Sequence, residues 1–143
     1  RWRVLEKVPP GLGPAGEIAP VSGPDDSNLQ WVSSYSRVSG VLPLSQLQLD
    51  RVSPVSFAWC ELRVVAAGKI GIKPNSGQGL TIYLGGKKVF SGDESSPAVS
   101  LDLPVGVFPL LFRVGSKSRK VGLSCELVEI EGAKGRAQFV LGR

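Results

Sequence analysis

The sequence predicts an all-β fold, an antiparallel two-sheet β-sandwich, jelly-roll-like. Three observations carry that expectation. The 143 residues include 18 Gly and 11 Pro, a turn-rich composition that suits short strands better than long helices. Apolar side chains alternate with polar ones at period two, which lines one face of a strand. Gly, Pro and Asn/Asp turn signals recur between the alternating runs at roughly 8–12 residues, the spacing of a sandwich or barrel.

Each element has its own signal along the chain. Residues 1–30 form a Pro/Gly-rich lead, broken at Pro9-Pro10-Gly11, Gly13-Pro14, Pro20 and Gly23-Pro24, and only Trp2 to Val8 in it reads as a strand. The sandwich domain is expected over 31–143. Trp31 to Tyr35 is a short strand, and Val38 to Leu49 an edge strand or an irregular crossing. Val55 to Ala67 is the longest run, with Ala58, Cys60, Leu62 and Val64 on one parity. Gly68 marks a turn before Ile70 and Ile72. Leu80, Ile82 and Leu84 alternate with Thr81 and Tyr83, which places Tyr83 on the outward parity. Gly85-Gly86 then predicts a two-residue hairpin, because primed turns need positive φ at both positions. Val99 to Leu103 and Phe108 to Val114 flank a turn at Pro104-Val105-Gly106. Gly115 to Lys120 reads as a basic loop. Val121 to Leu127 and Ala137 to Leu141 complete eight to ten strands.

Composition removes several chemistries. There is no His, so imidazole-based nucleophile systems, His-ligated haem and His-containing zinc sites have no residues to build them. A Ser-Lys dyad at Ser116-Lys117-Ser118 is the formal remainder, and small charged loops of this kind are commonly inert. Gly77-Gln78-Gly79 lacks the Lys-Ser/Thr and the succeeding helix of a phosphate loop. Asp25-Asp26 and Asp93-Glu94 are paired carboxylates on loops. Sequence neighbours of this kind are usually solvated turn residues rather than an acid–base pair or a calcium site.

Cys60 and Cys125 lie 65 residues apart, a spacing that matches no metal or redox motif. Both share parity with apolar neighbours, so both should face inward. Two readings stand: two buried thiols behaving as small hydrophobes, or one disulfide between strands.

Charge is uneven. Residues 1–68 hold six basic and six acidic residues, whereas 69–143 hold eleven basic and six acidic ones. Lys87-Lys88 and Lys117, Arg119 and Lys120 are the densest basic clusters. They suit a polyanion, or simply keep the domain soluble. No aromatic platforms interleave them, which argues against nucleic acid. Trp31, Tyr35, Trp59 and Tyr83 are rings that could stack on a sugar, although burial against a neighbouring element is their commoner role.

The run Gly79-Leu80-Thr81-Ile82-Tyr83-Leu84-Gly85-Gly86-Lys87-Lys88-Val89 resembles the hairpin of PA14-like jelly-roll modules. The strand–Pro-x-Gly–strand over Val99 to Val114 is similar to the segment next to that hairpin in such modules. The closing Gly122-Leu123-Ser124-Cys125-Glu126-Leu127 resembles accessory β-domains of large secreted haem-binding proteins of planctomycete-type bacteria. The likeness spans about two thirds of the chain, from Pro54 to Arg143. Asn75-Ser76 stands where sugar-binding relatives carry an Asp pair, Gly85 replaces a turn Asp, and no Cys-x-x-Cys-His haem motif is present. The resemblance thus implies a non-catalytic accessory module, extracytoplasmic (secreted or periplasmic), with no cofactor or metal of its own. On this reading the domain binds carbohydrate or another polyanionic glycan through Asn75, Ser76, Tyr83, Lys87 and Lys88. The alternative is a structural domain without a ligand that packs on neighbouring domains of its parent chain. No apolar run approaches the roughly 20 residues of a membrane span.

Overall fold

The computed structural model describes residues 1–6, 29–47, 55–75, 78–92 and 98–140. Asp25-Asp26, Ser76 and Asp93-Glu94 lie outside the described residues. Among the described residues there are ten strands: β1 (Trp2–Leu5), β2 (Trp31–Ser34), β3 (Val55–Ala66), β4 (Gly68–Pro74), β5 (Leu80–Leu84), β6 (Lys87–Gly92), β7 (Val99–Leu103), β8 (Gly106–Gly115), β9 (Cys125–Val128) and β10 (Arg136–Phe139). One short helix, α1 (Ser116–Val121), and a 3-10 turn at Leu44–Gln46 complete the elements. No helix among the described residues is long and apolar enough to cross a membrane.

The strands form two antiparallel sheets, as the alternation predicts. The larger has seven strands in the order β2-β1-β3-β8-β5-β6, with β10 also paired to β3. The smaller is β7-β4-β9. β3 is the spine. Its ten-pair ladder with β8 runs from Val55↔Gly115 to Val64↔Gly106. Its other edge is shared end to end by β1 at Ala58 and Trp59 and by β10 at Leu62 to Ala66. Residues of the lead segment are therefore part of the larger sheet.

Chain corners carry the strands between layers. Only Ala67 separates β3 in the larger sheet from β4 in the smaller one. The corner needs Gly68, whose φ of 142° disfavours a side chain and whose added Cβ would sit 2.7 Å from Gly135 N. Pro104 and Val105 make the return corner from β7 to β8. The Gly85-Gly86 turn has φ of 56° and 85°, the primed geometry that suits strand twist.

Between the layers lies one core. Ala58, Leu62, Val64, Ile82, Leu110 and Phe112 of the larger sheet meet Ile70, Ile72, Leu101 and Leu103 of the smaller one. Trp2 enters edge-on against Phe112, with ring centroids 5.4 Å apart, and its Nε1 donates to Ser36 Oγ at 2.9 Å. Burying such side chains stabilises by about 1.5–3 kcal/mol each before entropy is subtracted.

Two local expectations are corrected. Gly115 to Lys120 is not a loop: Ser116–Val121 forms α1, and Gly122 succeeds it at φ 86°. A Gly in this conformation just past the last turn is the usual helix stop. The Val121 to Leu127 run is broken for the same reason, with Val121 exposed, Leu123 bridged to Leu42 and β9 beginning only at Cys125. Val38 to Leu47 is the irregular crossing rather than an edge strand.

Candidate functional site

The two faces of the larger sheet differ in what they present. Opposite the main core, a second apolar cluster joins Leu5, Val55, Phe57, Tyr83 and Leu111, with Trp31 and Trp59 partly buried beside it. The register explains the grouping. Arg3↔Trp59, Trp59↔Leu111, Leu111↔Tyr83 and Tyr83↔Lys88 place these side chains in one row across five strands on one face.

That row relocates the residues singled out for a glycan. Tyr83 does lie on the outward parity, but it is only 2% exposed, so its ring is packing rather than a platform. The outward face of the larger sheet is not the wet face that alternation alone suggests. Lys88 is exposed and shares the face with Tyr83. Lys87 is exposed too, but pairs with Leu84 and so lies on the opposite parity. A bulge between Ile82 and Tyr83 shifts this hairpin by one residue.

Asn75 stands at the far end of β5 from these lysines, since it comes directly after β4 and just before the loop into β5. Its side chain is already engaged. Nδ2 donates to Gly122 O at 3.0 Å, and Oδ1 accepts the Ser124 N–H at 3.0 Å. The structure therefore does not gather Asn75, Tyr83, Lys87 and Lys88 into one site. β5 alone separates Asn75 from the lysines by about 16 Å at roughly 3.3 Å per residue.

A different cationic group is assembled at the β1–β2 edge. Arg3 Nη1 donates to Ser33 Oγ at 2.7 Å, and Arg1 Nη2 donates to the same oxygen at 2.9 Å. Two guanidinium groups thus converge on one hydroxyl. The Arg1 guanidinium also lies over the Tyr35 ring, 5.9 Å from its centroid, and Tyr35 is 67% exposed. Trp59, half-buried, is the cross-strand neighbour of Arg3. Glu61, half-buried, comes next on the same face of β3. Composition directs attention to the second half of the chain, where the net charge resides. The β1–β2 pairing that brings Arg1 and Arg3 to Ser33 spans a 30-residue separation that no local pattern reveals.

The cysteines lie together. Cys60 of β3 and Cys125 of β9 come from opposite sheets and line one cavity of about 140 Å³ with Trp2, Ser36, Phe139 and Val140. Both are free thiols. Burial, reinforced by the Cys125 and Glu61 charges, pushes the Cys60 thiol well above its ordinary value. Burial also pushes Cys125 up to about 12, against the Lys73 backbone hydrogen bond that favours its thiolate. Among the described residues no group of three or more Cys, Asp or Glu side chains gathers as a metal site.

A second cavity of about 180 Å³ lies beside β4, between Lys69–Gly71 and the 127–137 segment, with Glu129 and Arg136 at its wall. The Arg136 guanidinium is turned back onto Ala133 O and Gly135 O, so it caps its own loop.

Comparison with protein-family models, with characterised proteins and with solved structures finds no match to this chain.

Proposed function

We propose that this sandwich is a non-catalytic accessory module of a larger extracytoplasmic protein and binds an anionic glycan at the Arg1–Arg3–Tyr35 edge. The observation that carries the reading is the convergence of two guanidinium groups on the Ser33 hydroxyl beside an exposed ring. Like charges held this close favour an anion between them, and the planar donor fork matches a carboxylate or sulfate. Tyr35 offers a face for a sugar ring, and Glu61 can accept a sugar hydroxyl. The PA14-like resemblance of the sequence points to the same class of ligand.

Titration calorimetry with a sulfated, a carboxylated and a neutral oligosaccharide tests this. The charged ligands should bind at low ionic strength and weaken as salt rises, with the neutral one silent. Arg3→Gln should weaken binding by roughly 10-fold or more, the loss of one charge-assisted hydrogen bond of about 1.5–3 kcal/mol. No binding at low salt, or an unaffected Arg3→Gln variant, defeats the reading.

A second reading rests on its own observation. Val65, Val105 and Val107 are 56%, 64% and 49% exposed and adjoin where β3 ends and β8 begins. Adjacent exposed valines suit contact with a neighbouring domain of the parent chain. Val107→Lys should then abolish that association in the longer protein while leaving glycan binding intact.

A further inference from the structure

We propose that Cys60 and Cys125 form a redox couple that closes a disulfide across the sandwich in an oxidising environment and reopens in a reducing one. The two thiols sit on opposite sheets and line one cavity, so closing the bond would add a covalent link between the two layers away from the chain corners. Both cysteines border the same cavity of about 140 Å³, so the space beside one thiol is the space beside the other.

The roles within the pair are unequal. Cys125 is half-buried and near the surface, whereas Cys60 is enclosed in the core. The Lys73 backbone hydrogen bond favours a thiolate at Cys125 and not at Cys60. Cys125 is therefore the attacking group. Its thiol gives a proton to solvent, and its sulfur attacks a disulfide oxidant, R–S–S–R. That breaks the oxidant's bond, forms a mixed disulfide on Cys125 and releases one thiolate, which takes up a proton. Cys60 then loses its proton, attacks the Cys125 sulfur and expels the second thiol. Two cysteine thiols are oxidised, one external disulfide is reduced, and two R–SH leave. The raised thiols make the first attack slow at neutral pH, so the couple responds to sustained oxidation rather than to a brief pulse.

The test equilibrates the whole folded chain with oxidised glutathione at about pH 8.5, near the ordinary thiol range, then with excess reduced glutathione, and reads intact mass and non-reducing peptide maps. The expected result is loss of two hydrogens, a Cys60–Cys125 cross-linked peptide, and a rise in Tm of about 8–15 °C that reverses on reduction. Cys60→Ala should stop at a glutathione adduct on Cys125, and Cys125→Ser should leave Cys60 unmodified. A stable adduct on Cys125 of the native chain, a disulfide only between two chains, or two thiols still free at equilibrium would each overturn the proposal. The native chain's own mass decides the question even where a variant fails to fold.

Discussion

Asn75 and Ser124 hold one another by a reciprocal pair of hydrogen bonds. The Asn75 backbone N–H donates to Ser124 O at 2.9 Å, and the Ser124 N–H donates to Asn75 Oδ1 at 3.0 Å. The side-chain amide also reaches Gly122 O, so a single residue ties the end of β4 to the segment between α1 and β9. Asn75 thus works as a backbone partner, which sets the first prediction.

Replacing Asn75 with Ala leaves the Gly122 carbonyl and the Ser124 N–H without their partner. The expected loss is about 1–3 kcal/mol, the cost of stranding partly buried polar groups. Urea denaturation should show a lower midpoint at unchanged slope. Glycan affinity at the Arg1–Arg3 edge should stay within about twofold, since distant sites act independently.

Tyr83 and Lys88 are cross-strand neighbours with opposite expectations. Tyr83→Ala removes a ring from a closed cluster and should cost about 3–5 kcal/mol. Lys88→Ala touches an exposed side chain and should change stability by at most about 0.5 kcal/mol. Equal effects on thermal unfolding would contradict the burial difference between them.

Gly71 marks a close approach of two backbones. An added Cβ would lie 2.7 Å from Val128 O and from Val128 Cγ2, both belonging to β9, the partner strand of β4. Gly71→Ala should therefore destabilise by roughly 1–3 kcal/mol through overpacking. Gly86→Ala offers a contrast. Nothing lies within 4 Å of its Cβ, and the penalty there comes from φ of 85° alone. A packing adjustment cannot relieve it, whereas a Val128→Ala second change should partly rescue Gly71→Ala.

The thiols give alkaline sensitivity with a definite sign. Both pKa values in the folded chain lie above the ordinary 9.0. The folded state therefore holds its protons where the unfolded chain has lost them. This contribution is fully present below pH 9 and is lost as pH rises from 9 through about 12 for Cys125. The slope approaches about 1.4 kcal/mol per pH unit for each thiol. Urea midpoints of the native chain and a Cys60→Ala/Cys125→Ser double variant, compared from about pH 8.5 to about pH 10.5, should show the native chain losing stability faster.

The fold was legible because alternation reports which side of a strand faces the core. Ile82, Leu101 and Phe112 are buried on the parity that the sequence assigns to the interior. The hairpin at Gly85-Gly86 was legible because both positions need positive φ. Burial on the other side of the larger sheet was not, since period two marks Tyr83 as opposite to Ile82 without saying whether anything covers it. The helix Ser116–Val121 escaped because its charged residues present no apolar stripe. The candidate site escaped for a topological reason. Arg3 and Ser33 meet only once β1 and β2 pair, and the sequence pattern does not name partners for edge strands. For Cys60 and Cys125 the alternation reports inward parity on both strands, and sharing one cavity requires the layers to be stacked.

The sharing of one β3 edge by β1 and β10 has an engineering consequence. Both strands run antiparallel to β3, β10 ending at Leu62 and β1 taking over at Trp59 and Ala58. The Val140 N–H donates to Glu61 O at 3.0 Å, carrying the ladder into the gap between them. In this register Val140 and Arg1 both fall opposite Glu61, so joining Val140 directly to Trp2 would continue the two as a single uninterrupted strand. A circularly permuted chain so joined, and reopened at Gly85-Gly86, should fold to the same pair of sheets, its new ends hanging from an exposed turn.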